Sequence, residues 1–244
     1  VIIIEKVENG WFLDETIDHF FAGEQLSTEQ KGLVYEIVSG VIRWKGYLNR
    51  VLTRYARKDM KKPVRYLIWA TFYQVTFMKK AAHHVVKESV DYAKVEHGIH
   101  TAGFVNAVLR RFLRDMEKEG IHLPGVKTTD VMLPQHEIAA VHSMPQWLVQ
   151  RWTKRFGPTN AEKLCRTLNT PPEFALRINN NLISTDEAIR RLENLGIEVK
   201  PGRFLESALH VSRLAPLVKN NLLSDKMIAI QDEASQLAVY VLQL

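Results

Sequence analysis

Residues 103–116, Gly-Phe-Val-Asn-Ala-Val-Leu-Arg-Arg-Phe-Leu-Arg-Asp-Met, decide the fold class. Val105, Val108, Leu109, Phe112, Leu113 and Met116 recur three or four apart, while Arg110, Arg111, Arg114 and the following Lys118 fall largely on the other side. That period is helical, and the apolar stripe it makes needs another apolar surface to cover it. Upstream residues supply that surface. Val64 to Met78 is apolar almost all round, as expected of a central, buried helix, and Pro63 stands where a first-turn proline belongs. Val85 to Val95 reads as a further helix. Before them, Ser27-Thr28-Glu29-Gln30 fits a capping box, followed by Leu33, Val34, Ile37, Val38 and Val41 at helical spacing, then Leu48, Val51, Leu52 and Tyr55. The first half is therefore expected to be stacked helices, closed by Gly120 and Pro124-Gly125.

The composition is that of a globular chain of one or two domains, with 46% hydrophobic and 25% charged residues in 244. The apolar start, Val1 to Ile4, is far shorter than the roughly 20 residues that span a bilayer, and it lacks the charged start and small-residue cleavage site of a signal peptide. The single cysteine, Cys165, excludes a disulfide framework and fits a reducing, cytoplasmic setting. The net charge is +6, and it is concentrated. Arg43, Lys45, Arg50, Arg54, Arg57, Lys58, Lys61, Lys62 and Arg65 are opposed only by Asp59, a local +8 that exceeds the charge of the whole chain. A basic segment of this kind favours a polyanionic partner.

After a linker of about 15 residues, Met144-Pro145-Gln146-Trp147-Leu148 opens a helix to Phe156, Gly157-Pro158 breaks it, and another covers Asn160 to Leu168. Beyond Pro171-Pro172 the period changes. Phe174–Ile178, Ile197–Val199, Leu209–Val211 and Met227–Ile230 read as strands. Between the first two lies a helix opened by a second capping box, Ser184-Thr185-Asp186-Glu187, carrying Ala188, Ile189, Leu192 and Leu195 and stopped by Gly196. The arrangement predicts a small α+β domain. Gln231-Asp232-Glu233-Ala234-Ser235-Gln236-Leu237 begins a last helix, whose apolar stripe of Ala234, Leu237 and Val241, extending toward Leu244, is expected to need a partner surface.

No self-contained catalytic site is visible. The 12 glycines are scattered and form no phosphate-cradling loop. Cys165 shares a helical face with Ala161, Leu164 and Leu168, the setting of a buried structural thiol. His83 and His84 are adjacent and miss the four-residue spacing of a zinc pair on a helix. Catalytic, cofactor and metal residues are therefore expected to be none. Trp147 and Trp152 are expected in interdomain core, Asn106 in helix packing, and Asp232 and Glu233 as acids favoured by a helix N-terminus. Arg177 and Asn179 border the predicted sheet, where they are expected either to meet a single strand of nucleic acid or, equally, to fill a structural role.

Gly103-Phe104-Val105-Asn106-Ala107-Val108-Leu109-Arg110 resembles the signature of the NusB-like helical domain, with Val41-Ile42-Arg43, Tyr47-Leu48 and Leu67-Ile68 in keeping. Pro145-Gln146-Trp147-Leu148, Phe156-Gly157, Leu176-Arg177-Ile178-Asn179 and Ile230-Gln231-Asp232-Glu233-Ala234-Ser235 follow in the order of the Sun (RsmB, Fmu) RNA cytosine-C5 methyltransferases. The resemblance spans nearly the whole chain. It implies a mainly α fold: a NusB-like helical RNA-binding domain (1–122), a linker with connecting helices (123–172), a small α+β, RRM-like domain (173–230) and the start of a helix (231–244) leading into a methyltransferase domain missing from this chain. It further implies that S-adenosylmethionine and two catalytic cysteines belong to that missing domain, so that this portion alone is inactive. Its role would be to position structured RNA, 16S ribosomal RNA in that family, with Arg43 to Arg65 as the main phosphate contacts and Arg110, Arg111 and Arg114 as a second set. The alternatives are a non-enzymatic NusB-like RNA-binding or antitermination module and a protein-interaction scaffold. The stretch from Pro172 to Leu244 argues against a free factor of the first kind, which would not need it.

Overall fold

A computed structural model describes residues 1–56, 59–119, 135–170, 173–218 and 220–242. They form two compact units, Val1–Asn169 and Thr170–Leu244. The first is helical: α1 (Ile2–Glu8), α2 (Leu13–Ala22), α3 (Thr28–Thr53), α4 (Lys62–Thr76), α5 (Ala82–His97), α6 (Ile99–Glu119), α7 (Gln135–Val141), α8 (Gln146–Phe156) and α9 (Pro158–Leu168).

The long helix α3 starts where its cap dictates. Ser27 Oγ accepts from the Gln30 amide and Gln30 Oε1 from the Ser27 amide, a complete capping box. The helical pattern that runs from Leu33 through Val41 to Leu48, Val51 and Leu52 is one continuous helix, which ends at Thr53, before Tyr55. Helix α4 is the core of the unit: Ile68 and Phe72 are wholly buried, and Phe72 stacks on Phe112 of α6 with ring centroids 4.0 Å apart. Each such side chain contributes about 1.5–3 kcal/mol on leaving water. The α6 residues Val105, Val108, Leu109 and Phe112 are buried as their spacing requires, whereas Leu113 and Met116 are half-buried. Gly40 permits a close crossing of α3 and α4, because a Cβ there would lie 2.0 Å from Tyr73 Cζ.

Helix α7 falls inside the stretch read from sequence as linker. With α8 and α9 it encloses a small core of Ile138, Ala139, Val149 and Cys165. Trp152 packs against that core, but Trp147 is 62% exposed, which corrects the expectation of core for that residue. The Gly46 amide donates to Ser143 Oγ at 2.9 Å, and Arg50 reaches Glu137 at 3.3 Å, fastening α7 to α3. Gly120 and Pro124-Gly125, expected to end the helical block, lie outside the described residues, as do Pro171 and Pro172.

The second unit contains β1 (Phe174–Ile178), α10 (Thr185–Asn194), β2 (Val199–Pro201), β3 (Ala208–Val211), the short helices α11 (Ala215–Val218) and α12 (Asn221–Ser224), β4 (Ile228–Ile230) and α13 (Glu233–Val241). The sheet order is β2-β3-β1-β4, with each neighbouring pair antiparallel. Leu176, Ile178, Leu209, Val211 and Ile228 form one core with Ala188 and Leu192 of α10 and with Leu217 and Leu222. The second strand begins two residues later than its alternation suggests. Gly196 N–H donates to Glu193 O and Ile197 N–H to Leu192 O, a Schellman motif that draws Ile197 into the end of α10. At the other end Ser184 Oγ accepts from the Glu187 amide, while the Glu187 carboxylate turns outward to Arg190 and Arg191.

Candidate nucleic-acid interface

The basic segment divides by partner. Arg43, Arg50 and Arg54 follow one stripe of α3, since steps of seven and four residues return to nearly the same angle at about 100° per residue. Arg50 is neutralised by Glu137, and Lys45, on the opposite side, pairs with Glu8 at 2.8 Å. Arg65 is half-buried on α4. Arg57 and Lys58 lie outside the described residues. Among the described residues, no ion pair or hydrogen bond engages the side chains of Arg43, Arg54, Lys61 or Lys62, all of them exposed.

Three of these, Arg54, Lys61 and Lys62, flank the corner between α3 and α4. Burial pushes the phenol of Tyr47 up to about 12, even though Arg54 and Arg50 work against the rise, so this ring beneath the stripe stays neutral. Lys61 and Lys62 occupy the start of α4, where the helix dipole disfavours cations and attracts anions. Beside them Tyr55, Met60, Val64 and Phe104 line an open groove of about 580 Å³, together with His100 and Asp59. Arg111 lies with its guanidinium 5.8 Å from the Tyr55 ring centroid. The corner thus joins cations to exposed ring surface, the two features that backbone and base contacts use.

The second basic set also divides. Arg111 belongs to the corner, whereas Arg110 and Arg114 line a groove between α5 and α6. Asn106 does not serve helix packing alone: its Oδ1 accepts from Arg110 Nε at 3.0 Å and sets the guanidinium. His83 and His84 stand exposed on α5, His84 beside Glu88. Cys165 is wholly buried, and burial raises its thiol to about 11, as a structural cysteine should be.

The sheet of the second unit presents its other face differently from expectation. Register places Arg177 opposite Ala208 and Ala229, and Ala175 opposite His210, on the side away from α10. Helix α13 packs on β1 over that side, and its inward residues are polar. Asp232 is the N-cap, accepting from the Ala234 amide at 2.8 Å. Glu233 is buried and accepts from the amides of Arg203, Phe204 and Leu205 at 3.1, 2.7 and 3.0 Å, and from His210 Nε2 at 2.9 Å. A carboxylate only accepts, so Nε2 carries the proton. Burial alone would raise the Glu233 carboxyl; the bonds from His210 and the three amides outweigh it and hold the group at about 2. Gln236 reaches the carbonyls of Leu176 and Gln231. The expected apolar stripe is not what packs: Ala234 and Val241 are exposed, Leu237 is half-buried, and Leu244 lies outside the described residues. Asn179 is a turn residue, its amide nitrogen donating to Lys226 O and its oxygen accepting from Asn181. Arg177 remains exposed, but the Ala175 and Ala208 surface beside it is covered. Sequence reasoning missed the Glu233 cluster because its donors lie 23 to 30 residues upstream.

Comparison with known proteins accords with this architecture. The model of the NusB family matches residues 3–114, and that of the RsmF/B-like methyltransferase ferredoxin-like domain matches residues 144–217. The chain is homologous to the N-terminal portion of ribosomal RNA small subunit methyltransferase B. It is 29% identical to the probable ribosomal RNA small subunit methyltransferase B of Bacillus subtilis, covering 98% of this chain and 52% of that protein. It is 28% identical to the Vibrio cholerae ribosomal RNA small subunit methyltransferase B, covering 89% and 48%. It therefore spans about half the length of the curated relatives it matches. A crystal structure of a protein designated PH0851 superposes with a TM-score of 0.61 over 98% of this chain and 53% of that one, at 16% identity, a likeness of fold. The ferredoxin-like match takes in α8 and α9 and ends before β4.

Proposed function

We propose that this chain is the RNA-binding N-terminal region of an S-adenosylmethionine-dependent ribosomal RNA cytosine-C5 methyltransferase, and that it positions structured RNA, 16S ribosomal RNA, for a catalytic domain that follows in the full protein. The observation that carries the reading is the α3–α4 corner: on a NusB-type domain whose other cations include pairs with Glu8 and Glu137, the side chains of Arg54, Lys61 and Lys62 make no ion pair among the described residues, and Arg111 joins them over Tyr55. Phosphate contacts from such a cluster supply affinity and register without reading bases. On this reading residues 1–122 hold the RNA, the connecting helices of 123–172 and the α+β domain of 173–230 form a spacer, and 231–244 lead toward catalysis in a cytoplasmic enzyme. Among the described residues no helix is long and apolar enough to cross a membrane.

The chemistry of the family needs a thiolate that adds to C6 of cytosine and so makes C5 nucleophilic. Cys165, buried and with its thiol near 11, does not supply one. The chain with S-adenosylmethionine and RNA is expected to form no 5-methylcytosine. Binding is tested with a 16S ribosomal RNA fragment across a salt series. Reversal of Arg54, Lys61 and Lys62 to Glu should weaken binding and flatten the log–log salt slope by about 0.7–0.9 for each phosphate no longer neutralised. Alanine at Lys45 and Arg50 should change it little. An unchanged slope in the triple variant refutes the assignment of the corner, and absence of RNA binding by the parent chain refutes the proposed function.

A further inference from the structure

The groove between α5 and α6 is separate from the corner and larger, about 1030 Å³. Its middle is cationic. Arg110 and Arg114 stand one helical turn apart on α6, and Lys87 faces the same space from α5. Like charges one turn apart on a helix repel each other. Among the described residues no ion pair relieves these three, although Lys45, Arg50, Arg166, Arg190, Arg191 and Arg203 each have one. Asn106 holds Arg110 by Nε alone, which leaves the two terminal nitrogens of the guanidinium to fork onto an oxyanion.

The rest of the groove limits what that anion can be. Its floor is aliphatic: Val86 and Val90 from α5, Leu113 from α6. Asp91 lies one turn beyond Lys87, and Glu117 one turn beyond Arg114. Because α5 and α6 form an antiparallel hairpin about Gly98, these acids stand at opposite ends of the groove. On α5 the lining from His83 to Asp91 covers about 12 Å at 1.5 Å per residue. A polyanion threaded lengthwise would meet a carboxylate at each end. A compact ligand with one phosphate and one flat apolar body meets neither.

We infer that the α5–α6 groove binds a single unstacked nucleotide of the RNA, its phosphate on Arg110, Arg114 and Lys87 and its base on Val86, Val90 and Leu113. Unstacked nucleotides in loops and bulges are what proteins grip in single-stranded RNA. The inference rests on the RNA-binding reading and adds to it a place where one nucleotide leaves the stack.

The test titrates the 244-residue chain with cytidine monophosphate, adenosine monophosphate, cytidine and inorganic phosphate, followed by methyl and amide NMR shifts. Saturable binding of both nucleotides is expected, with shifts at Val86, Val90 and Leu113. Cytidine and phosphate alone should bind at least tenfold more weakly. Arg110→Glu with Arg114→Glu should abolish the nucleotide response, while Arg190→Ala with Arg191→Ala should leave it unchanged. All four substitutions are at exposed positions, and thermal melting checks that each variant is folded. Phosphate binding as tightly as the nucleotides, shifts confined to another surface, or no saturation overturns the inference. If the Arg110/Arg114 variant binds the ribosomal RNA fragment as tightly as the parent, the groove assignment fails while the corner reading stands; if the parent binds no RNA, both fall.

Discussion

Four donors converge on the carboxylate of Glu233, and that single residue joins α13 to the loop between β2 and β3. The approach is close enough to fix its surroundings: a Cβ on Gly202 would lie 2.7 Å from Glu233 Oε1 and 2.6 Å from Leu205 O. The Glu233→Gln substitution keeps the shape but removes a charge and one accepting oxygen, leaving amides without a full partner. It should destabilise the second unit by about 2–4 kcal/mol, the range for lost hydrogen bonds to a buried charge. Hydrogen exchange checks it, the amides of Arg203, Phe204 and Leu205 losing protection first; equal protection in the variant would remove Glu233 from the account. The pH dependence follows from the same bonds. The folded carboxyl stands near 2 against an ordinary 4.5, so the folded state holds its proton more weakly than the unfolded chain. This stabilisation is complete above about 4.5 and is lost as pH falls through about 2.

At the scale of elements, α3 shows how much a cap decides. Ser27→Ala removes the oxygen that receives the Gln30 amide, and should cost about 1 kcal/mol in a thermal or urea melt. A loss below a few tenths would mean that burial along α3 sets its start instead. Elements of this kind were legible in the sequence because their period is long and their ends carry local chemistry: Ser27, Pro63, Ser184 and Gly196 all act where they stand. Helix α7 was not, since seven residues carry too few turns to display a period. The inward face of α13 was not, because Glu233 and Gln236 are buried by bonds to distant backbone while Val239, Tyr240 and Val241 face outward. The candidate interface was legible as a run of charge but not as a surface. Glu8 and Glu137 take Lys45 and Arg50 from positions far along the chain, and only folding brings Arg111 to Tyr55.

Across the whole molecule, acid should act on the two units in sequence. In the first, His142 is 1% exposed, enclosed by the α7–α9 packing, with Glu162 at 3.7 Å and Arg166 bonded to that same carboxylate. Burial, with Arg166 adding to it and Glu162 opposing, lowers its affinity for a proton below the ordinary 6.5. The unfolded chain then binds the proton more readily, so the stability of this unit is full above about 6.5 and declines as pH falls below it. The second unit keeps its Glu233 cluster until pH drops under about 4.5. Separate probes exist, because all five tryptophans, Trp11, Trp44, Trp69, Trp147 and Trp152, lie in Val1–Asn169. Between pH 6.5 and 4.5 the urea midpoint followed by tryptophan fluorescence should fall. Over the same range the exchange protection of the Phe204 amide, corrected for its intrinsic pH dependence, should hold. His142→Phe, which fills the site without titrating, should flatten the fluorescence response and leave Phe204 as it was. A tryptophan midpoint that stays level to about pH 4.5 in the parent chain would show that His142 takes up its proton without cost to the fold. A midpoint that falls equally in the His142→Phe variant would assign the acid sensitivity of the helical unit to other groups.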